Sequence, residues 1–220
     1  MRVAALYDIH GNLPALEAVL AEVDADVIVV GGDVAPGPMV GECLERLRSL
    51  DVPVRWVMGN GDREVLSAEQ LAGFEPTVSL DIDGIGPVLF CHGSPRSDIE
   101  MITLITPPER LLPMLGEVAE EVVVCGHTHH QFDRTVGGTR VVNAGSVGLP
   151  YQGDAAAFWL ALGPAVELRR TAYDTAPAVD AFSSIPELAD SVRASLVEPI
   201  SAQAIAEFFE QRATIESGGR

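Results

Sequence analysis

The chain contains no lysine: all fourteen of its basic residues are arginine. That absence excludes a P-loop nucleotide cradle, and with it Schiff-base and pyridoxal chemistry, each of which needs a side-chain amine. There is no GxSxG elbow, and no GxGxxG follows the first apolar run. The three cysteines, Cys43, Cys91 and Cys125, are odd in number and form no CxxC pair. Free buried thiols in a reducing cytoplasm are therefore expected, and a thiolate-held structural zinc is disfavoured. No apolar run is long enough to span a bilayer, and the start MRVAALYDIH lacks the basic region and cleavage site of a signal peptide. A cytoplasmic protein without membrane contact is the expectation.

Positive charge is also scarce. Fourteen basic residues face 32 acidic ones, for a net charge of −18. Such a chain repels nucleic-acid backbones and anionic lipid, so an extended nucleic-acid partner is not expected. The acidity itself is read as solubility, or as the mark of a salty or hot habitat. Aromatics make up only 5% of the 220 residues, yet 47% are apolar, enough for one domain with a sizeable core.

What is present alternates. RVAALY (2–7), DVIVV (26–30) and VRWVM (54–58) read as buried strands, separated by helical patterns at 13–23 and 41–50. This βαβαβ rhythm predicts a parallel sheet with right-handed crossovers. Further strands are predicted at 77–83, 87–91, 122–125, 131–136, 139–144, 156–162 and 165–173, with a helix within 107–118 and a hairpin turn at Gly137-Gly138. After Tyr173 the pattern turns helical, which divides the chain into a domain over 1–175 and a helical extension over 176–220 packed on it. Ser184 to Glu187 matches a capping box. Ile205, Phe208 and Phe209 form an apolar stripe, expected to pack on the same domain, with a homo-oligomer contact as the alternative. The terminal ESGGR is expected to fray.

Residues able to bind a metal recur just past the strand ends: Asp8 and His10, Asp33, Asn60, His92, then His127 and His129, with Asp62 two residues beyond Asn60. In an open α/β sheet, ligands gather outside the carboxyl ends of the strands, so five loops can aim at one place. Carboxylate, imidazole and one carboxamide, without thiolate, suit manganese, iron, zinc or nickel better than calcium. Seven such groups are too many for one tetrahedral zinc but suit two ions about 3.5–4 Å apart. Taken singly, a strand-end Asp is more often a helix cap and a buried His is simply hydrogen-bonded. The order DxH, GD, GNxD, HG, GHTH is what carries the signal.

That order, with NAGSVG at 143–148, resembles the calcineurin-like metallophosphoesterase superfamily, most closely its small bacterial and archaeal phosphodiesterase-type members. The resemblance covers about residues 1–175 and implies a four-layer αββα sandwich of two mixed sheets flanked by helices. It implies two divalent cations, manganese first among the candidates. Asp33 would bridge them; Asp8, His10 and His129 would hold one, and Asn60, His92 and His127 the other. The implied activity is phosphoric-ester hydrolysis by a metal-bridging hydroxide, on a small phosphate ester and with diesters ahead of monoesters. The family's GNHD pattern has a histidine in third place, thought to protonate the leaving oxygen; here that residue is Gly61, which weakens the case for phosphomonoesters. Asn60 and Asp62 are the candidate catalytic residues, Asp62 by orienting Asn60 or another ligand, or else as a helix N-cap. Asn12 and Arg63 are the candidates for binding substrate oxygens, although Arg63 reads equally as a surface charge. His130 is a spare acid or a solvated strand residue. The alternative function is a catalytically weak or inactive interaction scaffold of the same fold, as one retromer subunit is regarded. An intact set of seven ligand positions favours the enzyme.

Overall fold

The computed structural model describes residues 1–218, of which 214–218 contribute backbone only. Strands β1 (Val3–Leu6), β2 (Val27–Val30) and β3 (Val54–Val57) alternate with helices α1 (Leu13–Glu22) and α2 (Val40–Arg48). Helix α3 (Asn60–Val65) and the two-residue strand β4 (Phe74–Glu75) follow. Next come β5 (Thr77–Ile82), β6 (Gly86–Cys91), α4 (Pro108–Leu115), β7 (Val122–Cys125), β8 (Phe132–Val136) and β9 (Thr139–Asn143). Strands β10 (Ala157–Leu162) and β11 (Val166–Thr171) close the sheets. One sheet runs β11-β10-β1-β2-β3-β4 and the other β5-β6-β7-β9-β8. In the first, β1 to β4 are parallel; in the second, β6, β7 and β9 are. Gly137 and Gly138, with φ of 61° and 94°, make the tight turn between β8 and β9 that their pairing requires.

The four layers follow from period-two alternation. Val3 and Ala5 of β1, with Tyr7 just beyond it, face inward with Val88 and Phe90 of β6 and Val122 and Val124 of β7. The intervening Ala4 and Leu6 face outward against α1 and α2, while Leu89, Cys91, Val123 and Cys125 face outward against α4. Each fully buried Val or Leu stabilises this stack by about 1.5–3 kcal/mol. All three cysteines are free and buried.

The C-terminal segment comprises α5 (Ala176–Phe182), a 3-10 turn (Pro186–Leu188), α6 (Ala189–Val192), a π turn (Arg193–Val197) and α7 (Ala202–Gly218). Ala178, Phe182, Val192 and Leu196 close on Leu149 in a separate apolar cluster. The expected capping box at Ser184 does not form. Its hydroxyl donates back to the Ala181 carbonyl at 2.8 Å, and the helical segment that follows starts at Pro186 with Ile185 as its N-cap. In the apolar stripe of α7, Ile205 is buried and Phe208 exposed. Helix α7 includes Glu216 to Gly218 of the end expected to fray; Gly219 and Arg220 lie outside the described residues. No helix among the described residues is long and apolar enough to cross a membrane.

Candidate metal centre

Because β1, β2, β3, β6 and β7 run parallel within their sheets, their carboxyl ends and following loops meet at one rim. The structure brings together there the side chains of Asp8, His10 and His129 in one group and Asp33, His92 and His127 in another. Within each group the ligand atoms lie within 4.8 Å of one another. The backbone is shaped for this. Among the described residues, five that are not glycine adopt left-handed φ: Asp8 (52°), His10 (50°), Asp33 (55°), His127 (64°) and His129 (56°). All five belong to the two groups. Such conformations cost on the order of 1–3 kcal/mol each, at the low end for Asp and His, and persist where function requires them.

Hydrogen bonds fix which ring nitrogen faces inward. His10 Nδ1 contacts the Pro36 carbonyl at 3.1 Å, His129 Nδ1 the Leu149 carbonyl at 2.7 Å, and His92 Nδ1 the Gly31 carbonyl at 3.0 Å. A carbonyl accepts only, so each Nδ1 carries the proton and each Nε2 turns inward. The Nε2 atoms of His10 and His129 face each other at 3.2 Å. Asp8 Oδ1, Asn60 Oδ1 and His92 Nε2 are buried without a hydrogen bond, His129 Nε2 lying 3.4 Å from Asp8 Oδ1 and His92 Nε2 3.5 Å from Asp33 Oδ2. Orphaned buried acceptors are costly unless something binds them. The donor set, its inward tautomers and these orphaned atoms all fit divalent cations.

The electrostatics agree. Burial would raise the Asp8 carboxyl, but the adjacent His129 and His92 outweigh it and hold the pKa below the usual range. Asp33 is likewise depressed, against its burial, by His92. Burial works against the charged His92, yet Asp33 and Asp8 carry its pKa up to about 10. Burial, then His92, push His127 down to about 4. Without cations, protons on His92 and His129 neutralise the carboxylates; divalent cations would take over that role and release them.

The supporting residues sort less simply. Asp62 is fully buried at the third position of α3 and accepts N–H bonds from Asp33 (2.7 Å), Ala35 (2.9 Å) and Gly59 (3.3 Å). It is thus a positioning residue for the Asp33 loop, and Gly59 is the N-cap. Burial, then the Asp33 carboxylate, push its pKa up to about 7. Asn12 is corrected. It caps α1 by accepting from Ala15 N–H, and its amide donates to the Gly148 carbonyl and Tyr173 hydroxyl. Fully buried and fully bonded, it has nothing left for a substrate. His130 is buried, with Nδ1 on the Thr128 carbonyl at 2.9 Å and Nε2 accepting from Leu104 N–H at 3.3 Å. It is a structural residue rather than a spare acid, and burial pushes its pKa down to about 4. Arg63 is half-exposed and pairs with Asp98 at 2.8 Å.

Gly61 is a packing requirement. A Cβ there would lie 2.3 Å from the Ala35 carbonyl oxygen and 2.8 Å from the Pro36 ring, and the Gly61 N–H donates to Asp33 Oδ1 at 2.8 Å. The loop after Asp33 occupies the space a side chain at 61 would need. Sequence reading missed Tyr151, whose ring stacks on His129 with centroids 5.3 Å apart and planes at 15°. It also missed Arg96, four residues beyond His92 in HGSPR, a loop position whose proximity to a ligand was the available signal.

The family model for the calcineurin-like phosphoesterase superfamily domain matches residues 1–162. A metallophosphoesterase from Sphaerobacter thermophilus is 25% identical, with a TM-score of 0.71 over 88% of this chain and 98% of that one. A hypothetical protein, PH1004, from Pyrococcus horikoshii shares the fold at 19% identity, with a TM-score of 0.70 over 87% and 96% of the two chains. Yfce, a phosphoesterase from E. coli, is 27% identical with a TM-score of 0.54, over 74% of this chain and 88% of that one. Comparison with curated proteins gave no match. The matched region contains every one of the seven ligand positions, and the chain belongs to the calcineurin-like phosphoesterase superfamily.

Proposed function

We propose that the protein hydrolyses a small phosphodiester with the help of two divalent cations, manganese being the first candidate. The observation that carries this is the pairing of two three-residue groups around Asp8 and Asp33, with Asn60 Oδ1 and His92 Nε2 buried and without a hydrogen bond. Asp8, His10 and His129 would hold one cation; Asn60, His92 and His127 the other; Asp33 would contact both. Bound there, such cations make water acidic near neutral pH and neutralise phosphate oxygens. The chain does the positioning. Asp62 fixes the Asp33 loop through three backbone N–H groups, and the Pro36, Gly31 and Leu149 carbonyls aim three imidazoles.

The choice of diester rests on Gly61. During hydrolysis a water oxygen bonds to phosphorus and the leaving oxygen departs with the electron pair of its P–O bond. With Gly61 closed in and His130 and Asp62 bonded internally, none of these three positions offers an acid to protonate that oxygen. Aryloxide and phosphate leaving groups need no such help, and diesters carrying them fit best. A substrate of this size also suits a chain of net charge −18, which repels long polyanions at range.

The test is metal analysis of the purified protein, with turnover measured on a diester, a monoester and a dinucleotide panel. Two cations, and faster cleavage of bis-nitrophenyl phosphate than of nitrophenyl phosphate, are expected. Equal or reversed rates would refute the diester preference. Two cations without turnover on any substrate would favour the scaffold.

A further inference from the structure

We propose that the cavity beside His92 is a subsite for the second arm of the substrate, and that it selects an arm ending in phosphate. This deepens the phosphodiesterase reading and rests on it. The cavity has a volume of about 440 Å³, within the range of small-molecule sites. It adjoins the candidate metal centre at His92 and is lined by Arg63 of α3, the helix that starts at Asn60. An ester bound at the centre therefore has one arm directed into this space.

The lining states what the arm should carry. Met58, Pro76 and Pro95 supply apolar surface, and Arg63 and Arg96 supply two guanidinium groups against one acid, Asp98. In a chain of net charge −18 this balance is unusual. Three other described cavities differ. Arg2 and Arg169 face Glu22, Asp24 and Glu167 in one; Arg46 faces Glu17, Glu42 and Glu45 in the second; Arg140 faces Glu121 in the third. Of these four cavities, the one beside His92 alone is lined by more cations than anions, although Glu100, outside the lining, pairs with Arg96.

Both guanidiniums are held and yet available. Arg63 engages Asp98 through Nε alone, so its two Nη groups have no partner among the described residues. Arg96 engages Glu100 through Nε and Nη2, leaving Nη1. Their side chains are 51% and 55% exposed. Carboxylates that grip part of each fork hold it in place without occupying the donors that a phosphate would use.

Two p-nitrophenyl diesters that share a three-carbon arm, one ending in hydroxyl and the other in phosphate, isolate this feature. Wild-type protein with manganese should cleave the phosphate-ended ester with about tenfold higher kcat/KM, through KM, as expected for charge-assisted contacts. In the double variant Arg63→Gln, Arg96→Gln the ratio of the two kcat/KM values should fall to about one, with the thermal midpoint retained. A ratio near one in wild type, or one preserved in the double variant, would overturn the proposal. If neither diester is cleaved, the hydrolysis reading fails and the subsite is judged by binding. Calorimetric titration with 1,3-propanediol bisphosphate should then show about tenfold weaker affinity in the double variant. Equal affinity would overturn the subsite as well.

Discussion

The two halves of the candidate metal centre use the same chemistry in unlike surroundings. Asp8, His10 and His129 lie on the side that the C-terminal segment braces, the closed side, although both groups are about equally buried. The His129 ring is stacked by Tyr151, and its Nδ1 is anchored on Leu149, which the C-terminal helices cover. Farther along, Glu210 of α7 accepts from the hydroxyls of Thr103 and Thr106 and pairs with Arg110, tying that segment to the loop under His130. Asp33, His92 and His127 lie on an open side, next to a cavity and beneath a glycine. The difference teaches that two equally buried halves can be braced differently, one by the C-terminal segment and the other beside a cavity. The C-terminal segment contributes no side chain to either group, yet it packs on Leu149, whose carbonyl aims His129.

Four substitutions would break or sharpen that contrast. The largest effect belongs to His92→Ala on the open side. Elemental analysis should show one cation lost per chain, and diester turnover should fall at least about a hundredfold. Retention of both cations would remove His92 from the centre. Gly61→His comes next, and its expected outcome runs against simple motif repair. The new Cβ meets the Ala35 carbonyl oxygen at 2.3 Å, so the Asp33 loop must shift. A loss of about 2–3 kcal/mol in denaturant unfolding and about tenfold in turnover is expected, with no gain on monoesters. A monoesterase gain at unchanged stability would show that the loop yields freely.

Asp62→Asn should act through Asp33. An amide cannot accept all three backbone N–H bonds, and one donor is left facing another. The cost should be about 1–3 kcal/mol, with about tenfold weaker cation binding by titration. Unaltered cation affinity would reduce Asp62 to a scaffold role. The smallest effect is expected on the closed side. Tyr151→Leu removes the stack on His129 but leaves its Nδ1 bond, so cation affinity should drop only about threefold. A drop as large as that of His92→Ala would erase the distinction between the halves.

The six side chains of the two groups were legible because residue type and strand-end position coincide at each of them. His10, His92 and His129 follow apolar runs whose burial leaves no other place for an imidazole to point than the rim. The supporting residues were not legible, since their roles depend on what the fold brings near. Asn12 precedes a helix, and helix capping competes with any binding role for the same amide; the cap won. Asp62 stands two residues into a helix, and nothing local says that its carboxylate reaches back to Asp33, Ala35 and Gly59. Ser184 has capping spacing, but α5 uses it as a closing residue. The strand Phe74–Glu75 is too short for any periodicity to reveal.

Tyr7 lies between the sheets, and its hydroxyl donates to the Val124 carbonyl at 3.2 Å. A Cβ added at Gly31 would meet its ring at 2.0 Å, and one at Gly126 at 2.4 Å. Each glycine immediately precedes or closely precedes a ligand loop, so the phenol and the two bare backbones form an interlocked unit. Anyone transplanting this centre into another scaffold, or exchanging Tyr7 for a smaller residue, must move all three positions at once. Substituted singly, either glycine would wedge the sheets apart, and the smaller residue at 7 would leave a hole behind both loops.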